Sequence, residues 1–204
     1  MSRAGPPHPD PLRLEGEREY SPPARVNVPA ADWPGGRTLE RIEPMVHELV
    51  PAPAPAEACT RFLDLPYCLL LESVSVSERL GRHSFLMADP FRVLRGKGTE
   101  IEVSRPGGRT RKIVGVDPFD ALRAALARYR LESEPVPGLP PFQGGAAGYL
   151  AYDLLHALER VAPPRWDDLV LPDLCIGLYD WVLAWDHICG RAWLISTGLP
   201  TAGA

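Results

Sequence analysis

Apolar positions along this chain are spaced for short strands and a few helices, and they begin only after a polar, proline-rich opening. The spacing predicts a strand over Thr38–Glu43 and a short helix through Ala58, Phe62 and Leu63 that ends before Pro66. Tyr67–Ser73 is almost wholly apolar and reads as a strand buried on both faces. Further strands follow at Ser84–Ala88 and Arg92–Arg95. Thr99–Ser104 and Thr110–Val114 form a hairpin, because Gly107 and Gly108 supply the positive φ of a tight turn. Asp117 caps a helix with Pro118 at its first position, and the expected apolar stripe is Phe119, Leu122, Ala125, Leu126 and Tyr129. From Tyr149 the positions Tyr149, Tyr152, Leu155 and Leu158 keep helical spacing, so a buried helix is expected there until Pro163–Pro164. Leu174–His187 alternates as one long strand. One face would carry Tyr179, Trp181, Leu183 and Trp185, and the other Ile176, Leu178, Val182, Ala184 and Asp180. Arg191–Ser196 completes a last hairpin.

Helices interspersed with hairpin-like strands, without regular βαβ alternation, predict an α+β fold with mainly antiparallel sheet and packed helices. Between Pro140 and Asp153 lie Gly144, Gly145 and Gly148 with Ala146 and Ala147, small residues that mark a close approach of two backbones. Residues 1–36 carry few periodic apolar positions and are expected to be a disordered arm, with residues 37–204 as the folded domain.

Composition narrows the function more than it names one. Of 24 prolines, 12 precede residue 56, so their excess is local. A net charge of −4 lacks the basic footprint of a dedicated nucleic-acid binder. Seven basic residues between Arg92 and Lys112 alternate with Glu100 and Glu102 and read as a solvated hairpin surface. The four cysteines, at 59, 68, 175 and 189, form no C-x-x-C pair, so neither zinc nor a redox motif is indicated and reduced thiols are expected. No apolar run has the length of a membrane span, and a cytoplasmic protein is expected. His83, His156 and His187 share no metal-ligand spacing. Ser73 and Ser84 lack a triad context, and Asp180 among apolar neighbours calls for a hydrogen-bond partner more than for a reaction role.

Phe142–Leu154, FQGGAAGYLAYDL, resembles the PF-x-GG-x-x-G-[YL]-[FL]-x-YDL signature of the chorismate-utilising amination enzymes, the component I chains of aminodeoxychorismate (para-aminobenzoate) synthase and anthranilate synthase. Leu65–Ser73, LPYCLLLES, is similar to the family's LLES strand, and Leu80–Pro90, LGRHSFLMADP, to its GR[YH]SF-x-x-x-[DE]P segment. The resemblance implies the N-terminal region of such an enzyme and a two-lobed α/β structure whose chorismate-binding catalytic domain, with its Mg²⁺, lies outside this sequence. No catalytic residue and no cofactor are therefore expected in this chain.

The same resemblance implies a tryptophan pocket, in which Ser73 would bond the amino acid's polar end, Arg82 would lie beside it, and Leu71, Leu80, Gly81 and His83 would form the lining. The implied partners are the chorismate-binding domain, in the same chain or another, and a glutamine amidotransferase subunit that supplies ammonia. The PFQGG start and Leu169–Leu183, LVLPDLCIGLYDWVL, look closer to the aminodeoxychorismate synthases of folate biosynthesis, whereas Glu72 and Gly81–Ser84 look closer to anthranilate synthases of tryptophan biosynthesis. The folate branch is the first expectation. A free-standing tryptophan-binding regulatory module is the non-enzymatic alternative, and a stranded remnant that exposes its aromatic strand is the third.

Overall fold

A computed structural model describes residues 43–73, 75–77, 80–129, 135–159, 161–162, 167 and 169–200. The proline-rich arm and nearly all of the predicted strand at Thr38–Glu43 lie outside them. Among the described residues, ten strands form two five-stranded antiparallel sheets. The first sheet has the order β1 (Met45–Glu48), β10 (Arg191–Ser196), β9 (Trp181–Asp186), β3 (His83–Met87) and β2 (Leu69–Leu71). The second runs β6 (Thr110–Val114), β5 (Glu100–Ser104), β4 (Arg92–Lys97), β8 (Leu174–Tyr179) and β7 (Gly145–Leu150). With helices α1 (Pro55–Thr60) and α2 (Pro118–Arg128), this is the α+β, mainly antiparallel architecture that the spacing predicts.

Three apolar clusters order the layers. Leu94, Ile101, Leu174, Ile176 and Leu178 of the second sheet pack against Ala121 and Ala125 of α2. Met87, Val182, Ala184, Trp193 and Ile195 of the first sheet meet Ala147 and Tyr179 of the second. Leu86, Leu183, Trp185 and Ala192 pack on Ala58 of α1. The arrangement is helix, sheet, sheet, helix, with the alternation of β9 and β10 splitting their side chains between two clusters.

The predicted long strand Leu174–His187 is two strands in different sheets, with the change of sheet at Asp180. The alternation slips there by one residue: Tyr179 joins Val182 and Ala184 between the sheets, while Leu183 and Trp185 turn to α1. Thr197 pins the crossing, its N–H and Oγ1 donating to Asp180 O at 2.6 and 3.1 Å. Burial raises the Asp180 carboxyl above its ordinary range, opposed by a bond from its own backbone N–H, so its place is that of a corner residue.

Several expectations need correction. Tyr149 and Leu150 end strand β7, and only Tyr152–Ala157 is helical, as a 3-10 turn. Of that segment Leu154 is buried, but Tyr152 is 87% and Leu158 69% exposed, because β8 holds the chain extended through Leu150 and leaves no room for a helical stripe. Tyr67–Ser73 yields a three-residue edge strand that pairs only with β3, so its leucines are half-buried or exposed and not enclosed on both faces. In α2 the buried line is Pro118, Ala121, Ala125 and Arg128, which places Leu126 on the outside. The aromatic hairpin is sealed instead of exposed. Trp185 and Trp193 are 3% and 4% exposed, Trp185 Nε1 donates to Pro53 O at 2.7 Å, and Trp181 packs at a tilt on Phe62, ring centres 5.3 Å apart. Strand β1, an exposed edge against β10, lacks the apolar alternation that would have revealed it.

Candidate ligand site beside the first sheet

The six residues expected to line a ligand site fall into two groups. Ser73 and Gly81 are brought together: Gly81 adopts φ +68, and a Cβ there would lie 2.0 Å from Ser75 O and 2.8 Å from Ser73 Cβ. Only glycine fits, in conformation and in space. Between them Ser77 Oγ accepts from Leu80 N at 3.0 Å, closing a small turn. Leu71 and Leu80 are exposed on the outer side of this segment.

Arg82 and His83 belong to the second group, centred on Asp186 at the end of β9. Arg82 Nε donates to both Asp186 oxygens at 3.1 Å, and Nη2 donates to Oδ2 at 2.6 Å. Asp186 also accepts from Ile188 N at 3.0 Å and Cys189 N at 3.3 Å, so one buried carboxylate fastens β3 and organises the β9–β10 turn. These bonds, the Arg82 guanidinium's first, hold Asp186 well below the usual carboxylate range against the opposing effect of burial. His83 Nε2 lies 3.9 Å from Asp186 Oδ2, and burial lowers the imidazole below its ordinary value more than that carboxylate raises it. Next to it, fully buried Ser84 shares a 2.7 Å hydrogen bond with His187 Nε2. Arg82 is thus first a fastening cation, although its side chain remains 40% exposed. Spacing gave no sign of Asp186, which sits 104 residues from Arg82.

The glycine-rich stretch serves the second sheet. A Cβ on Gly148, where φ is +155, would meet Cys175 O at 2.0 Å, which is the close approach that the small residues predict. Gln143 clamps its own loop, accepting from Val136 N at 2.9 Å and donating to Val136 O at 3.0 Å and Pro140 O at 3.3 Å. Phe142 reaches between the sheets and meets Phe85 edge-on at 5.6 Å. Tyr179 donates to Tyr67 O at 2.9 Å in the turn before β2, and burial raises its phenol above the ordinary range.

Two open clefts lie elsewhere among the described residues. One of about 520 Å³ runs along the β5–β6 hairpin beside Tyr67, Asp89 and Arg95, and one of about 380 Å³ is bordered by Arg92, Arg105, Arg109 and Arg111. Neither contains any of the six residues. The described residues hold no group of three His, Cys, Asp or Glu side chains placed to bind a metal ion, and no helix among them is long and apolar enough to cross a membrane.

No protein-family model matches the chain. Among curated proteins, it is 37% identical to the aminodeoxychorismate synthase component 1 of Salmonella typhimurium over 123 residues, which are 60% of this chain and 26% of that protein. It is 31% identical to the anthranilate synthase component 1 of Acetivibrio thermocellus over 134 residues, 66% of this chain and 26% of that one. With the anthranilate synthase component 1 of Mycolicibacterium smegmatis, 31% identity extends over 197 residues, 92% of this chain and 36% of the relative. The chain thus spans about a quarter to a third of the length of the curated relatives it matches. It is a homologue of the component 1 chains of aminodeoxychorismate synthase and anthranilate synthase, corresponding to a fraction of one such chain.

Proposed function

We propose that this chain is the supporting lobe of an aminodeoxychorismate synthase component 1, in folate biosynthesis, and carries none of the amination chemistry itself. What supports the branch is the identity to three aminodeoxychorismate synthase relatives, 37%, 35% and 36%, against 29% to 32% for five anthranilate synthase relatives. The length of the anthranilate alignment, reaching 92% of this chain in one relative, is the observation that favours the second reading. Disruption of the gene for this chain is expected to create a growth requirement that 4-aminobenzoate relieves. A requirement relieved by tryptophan instead would establish the anthranilate reading.

The surface supports a lobe that works against something else. Leu150 ends edge strand β7, and Ala151 N donates to Asp173 O at 2.7 Å, which brings the segment after β7 beside the one before β8. Tyr149, Leu150, Tyr152, Leu169 and Leu171 are all exposed along these two segments. Exposed apolar residues of this kind are what a covering partner would bury. Its occupant in this reading is the chorismate-binding portion with its Mg²⁺, and a glutamine amidotransferase subunit supplies the ammonia.

The same reading gives the segment around Ser73, Gly81, Arg82 and His83 an L-tryptophan ligand, with Leu71 and Leu80 closing over it. Their exposure is what such closure would remove. Calorimetric titration with L-tryptophan is expected to give a saturable isotherm that Ser73→Ala weakens about tenfold, the loss of one hydrogen bond of ~1.4 kcal/mol. Ser73 is the appropriate probe because Arg82→Ala would also release Asp186. A flat titration removes the ligand from the reading and leaves the lobe purely structural.

A further inference from the structure

We propose that Cys59 and Cys68 form a two-thiol modification site, which a small-molecule disulfide converts into an intramolecular Cys59–Cys68 bond that fastens α1 to the start of β2. The two Sγ atoms stand 3.9 Å apart, although nine positions separate them in the chain. Cys59 lies in the last turn of α1 and Cys68 immediately before β2. The chain between them is tightly wound, with Arg61 N donating to Ala58 O at 3.1 Å, Phe62 N to Cys59 O at 3.0 Å and Leu65 N to Phe62 O at 3.0 Å. Both thiols border the cluster under α1 and both are half-buried, so a small reagent reaches them. The two sulfurs have less than 2 Å to close to reach the ~2.05 Å of a disulfide.

The bond would fasten a weakly held edge. Strand β2 has three residues and pairs with β3 alone, and α1 is a helix of six residues. Its loop closure removes freedom from the unfolded chain.

The exchange proceeds in two steps. Cys59 loses its proton and its thiolate attacks one sulfur of the reagent, forming a mixed disulfide and releasing one small thiol. Cys68 then loses its proton and attacks Cys59 Sγ, releasing the second. Two protein thiols are oxidised by two electrons, and one small disulfide is reduced to two thiols. Burial, and then the hydrogen bond with Cys59, push the Cys68 thiol up to about 11. Closure by Cys68 should therefore speed up as pH rises from roughly 7 to 9, with its thiolate fraction.

The test is incubation of the whole chain with oxidised glutathione, followed by trypsin and mass spectrometry without reduction. Trypsin cuts after Arg61, so the bond would appear as the peptides Ile42–Arg61 and Phe62–Arg79 held together. That linked pair is expected, with a melting temperature roughly 5 °C or more above that of the reduced chain. Cys68→Ser should stop at glutathione attached to Cys59. The proposal is overturned if Cys59 and Cys68 each carry glutathione or stay reduced, or if Cys175 or Cys189 supplies the linked partner.

Discussion

Gly148→Ala is expected to destabilise the fold by about 3–5 kcal/mol, at the extreme of what single substitutions do. Two independent effects combine at this position. Its φ of +155 is a conformation that side-chain-bearing residues rarely hold, which costs of order 1–3 kcal/mol. Its Cβ would also stand 2.0 Å from Cys175 O and 2.9 Å from Ile176 Cα, and those atoms are backbone of the paired strand. Strand β7 could accept the methyl only by withdrawing from β8. Gly107 provides the control, since it too has positive φ, +68, but a Cβ there meets nothing within 4 Å. Gly107→Ala should cost about 1 kcal/mol. Urea unfolding of the two variants checks this, and equal midpoints would mean that the close approach at β7–β8 contributes nothing.

Asp186→Ala is expected to cost about 3 kcal/mol, because it leaves a fastening guanidinium and two turn N–H groups without their acceptor. The pH dependence follows from the direction of its shift. The folded-state carboxyl is held below its unfolded value of ~3.9, so its contribution is complete above about pH 4 and is lost as pH falls further, toward the folded value. The stability gap between wild type and Asp186→Asn should therefore be constant from neutral pH to about 5 and shrink below about 4. Urea midpoints measured through this window decide the matter. A gap that persists unchanged at low pH would show that the carboxylate's charge is not what fastens β3 to β9.

Much of this fold could be read from local chemistry. Gly107–Gly108 between alternating segments marked the β5–β6 hairpin, and Asp117 accepts from Phe119 N and Asp120 N as a capping carboxylate before proline should. What escaped was what depends on distant segments. Tyr149–Leu158 has helical spacing, yet pairing with β8 draws its first residues into a strand, because tertiary hydrogen bonds outweigh a weak local preference. The slip in alternation at Asp180 is invisible in the sequence, since both of its flanks are equally apolar and only the change of sheet reveals which side each residue takes.

The candidate site was legible to a similar depth. Gly81 is brought beside Ser73 by one local turn. Asp186 lies on the neighbouring strand β9 and carries no marker of its own, so which carboxylate Arg82 pairs with is visible only in the fold. The expectation of an exposed aromatic hairpin failed for the same reason. Helix α1 and the segment around Pro53 cover Trp185, while Tyr149, Leu150 and Tyr152 at or just after the end of β7 are among the apolar residues left exposed.

The most direct test of a lobe without amination chemistry is an assay of the purified chain with chorismate, ammonium and Mg²⁺. The account predicts that chorismate is not consumed and that neither aminodeoxychorismate nor anthranilate forms. Saturable turnover to either product by this chain alone would contradict it.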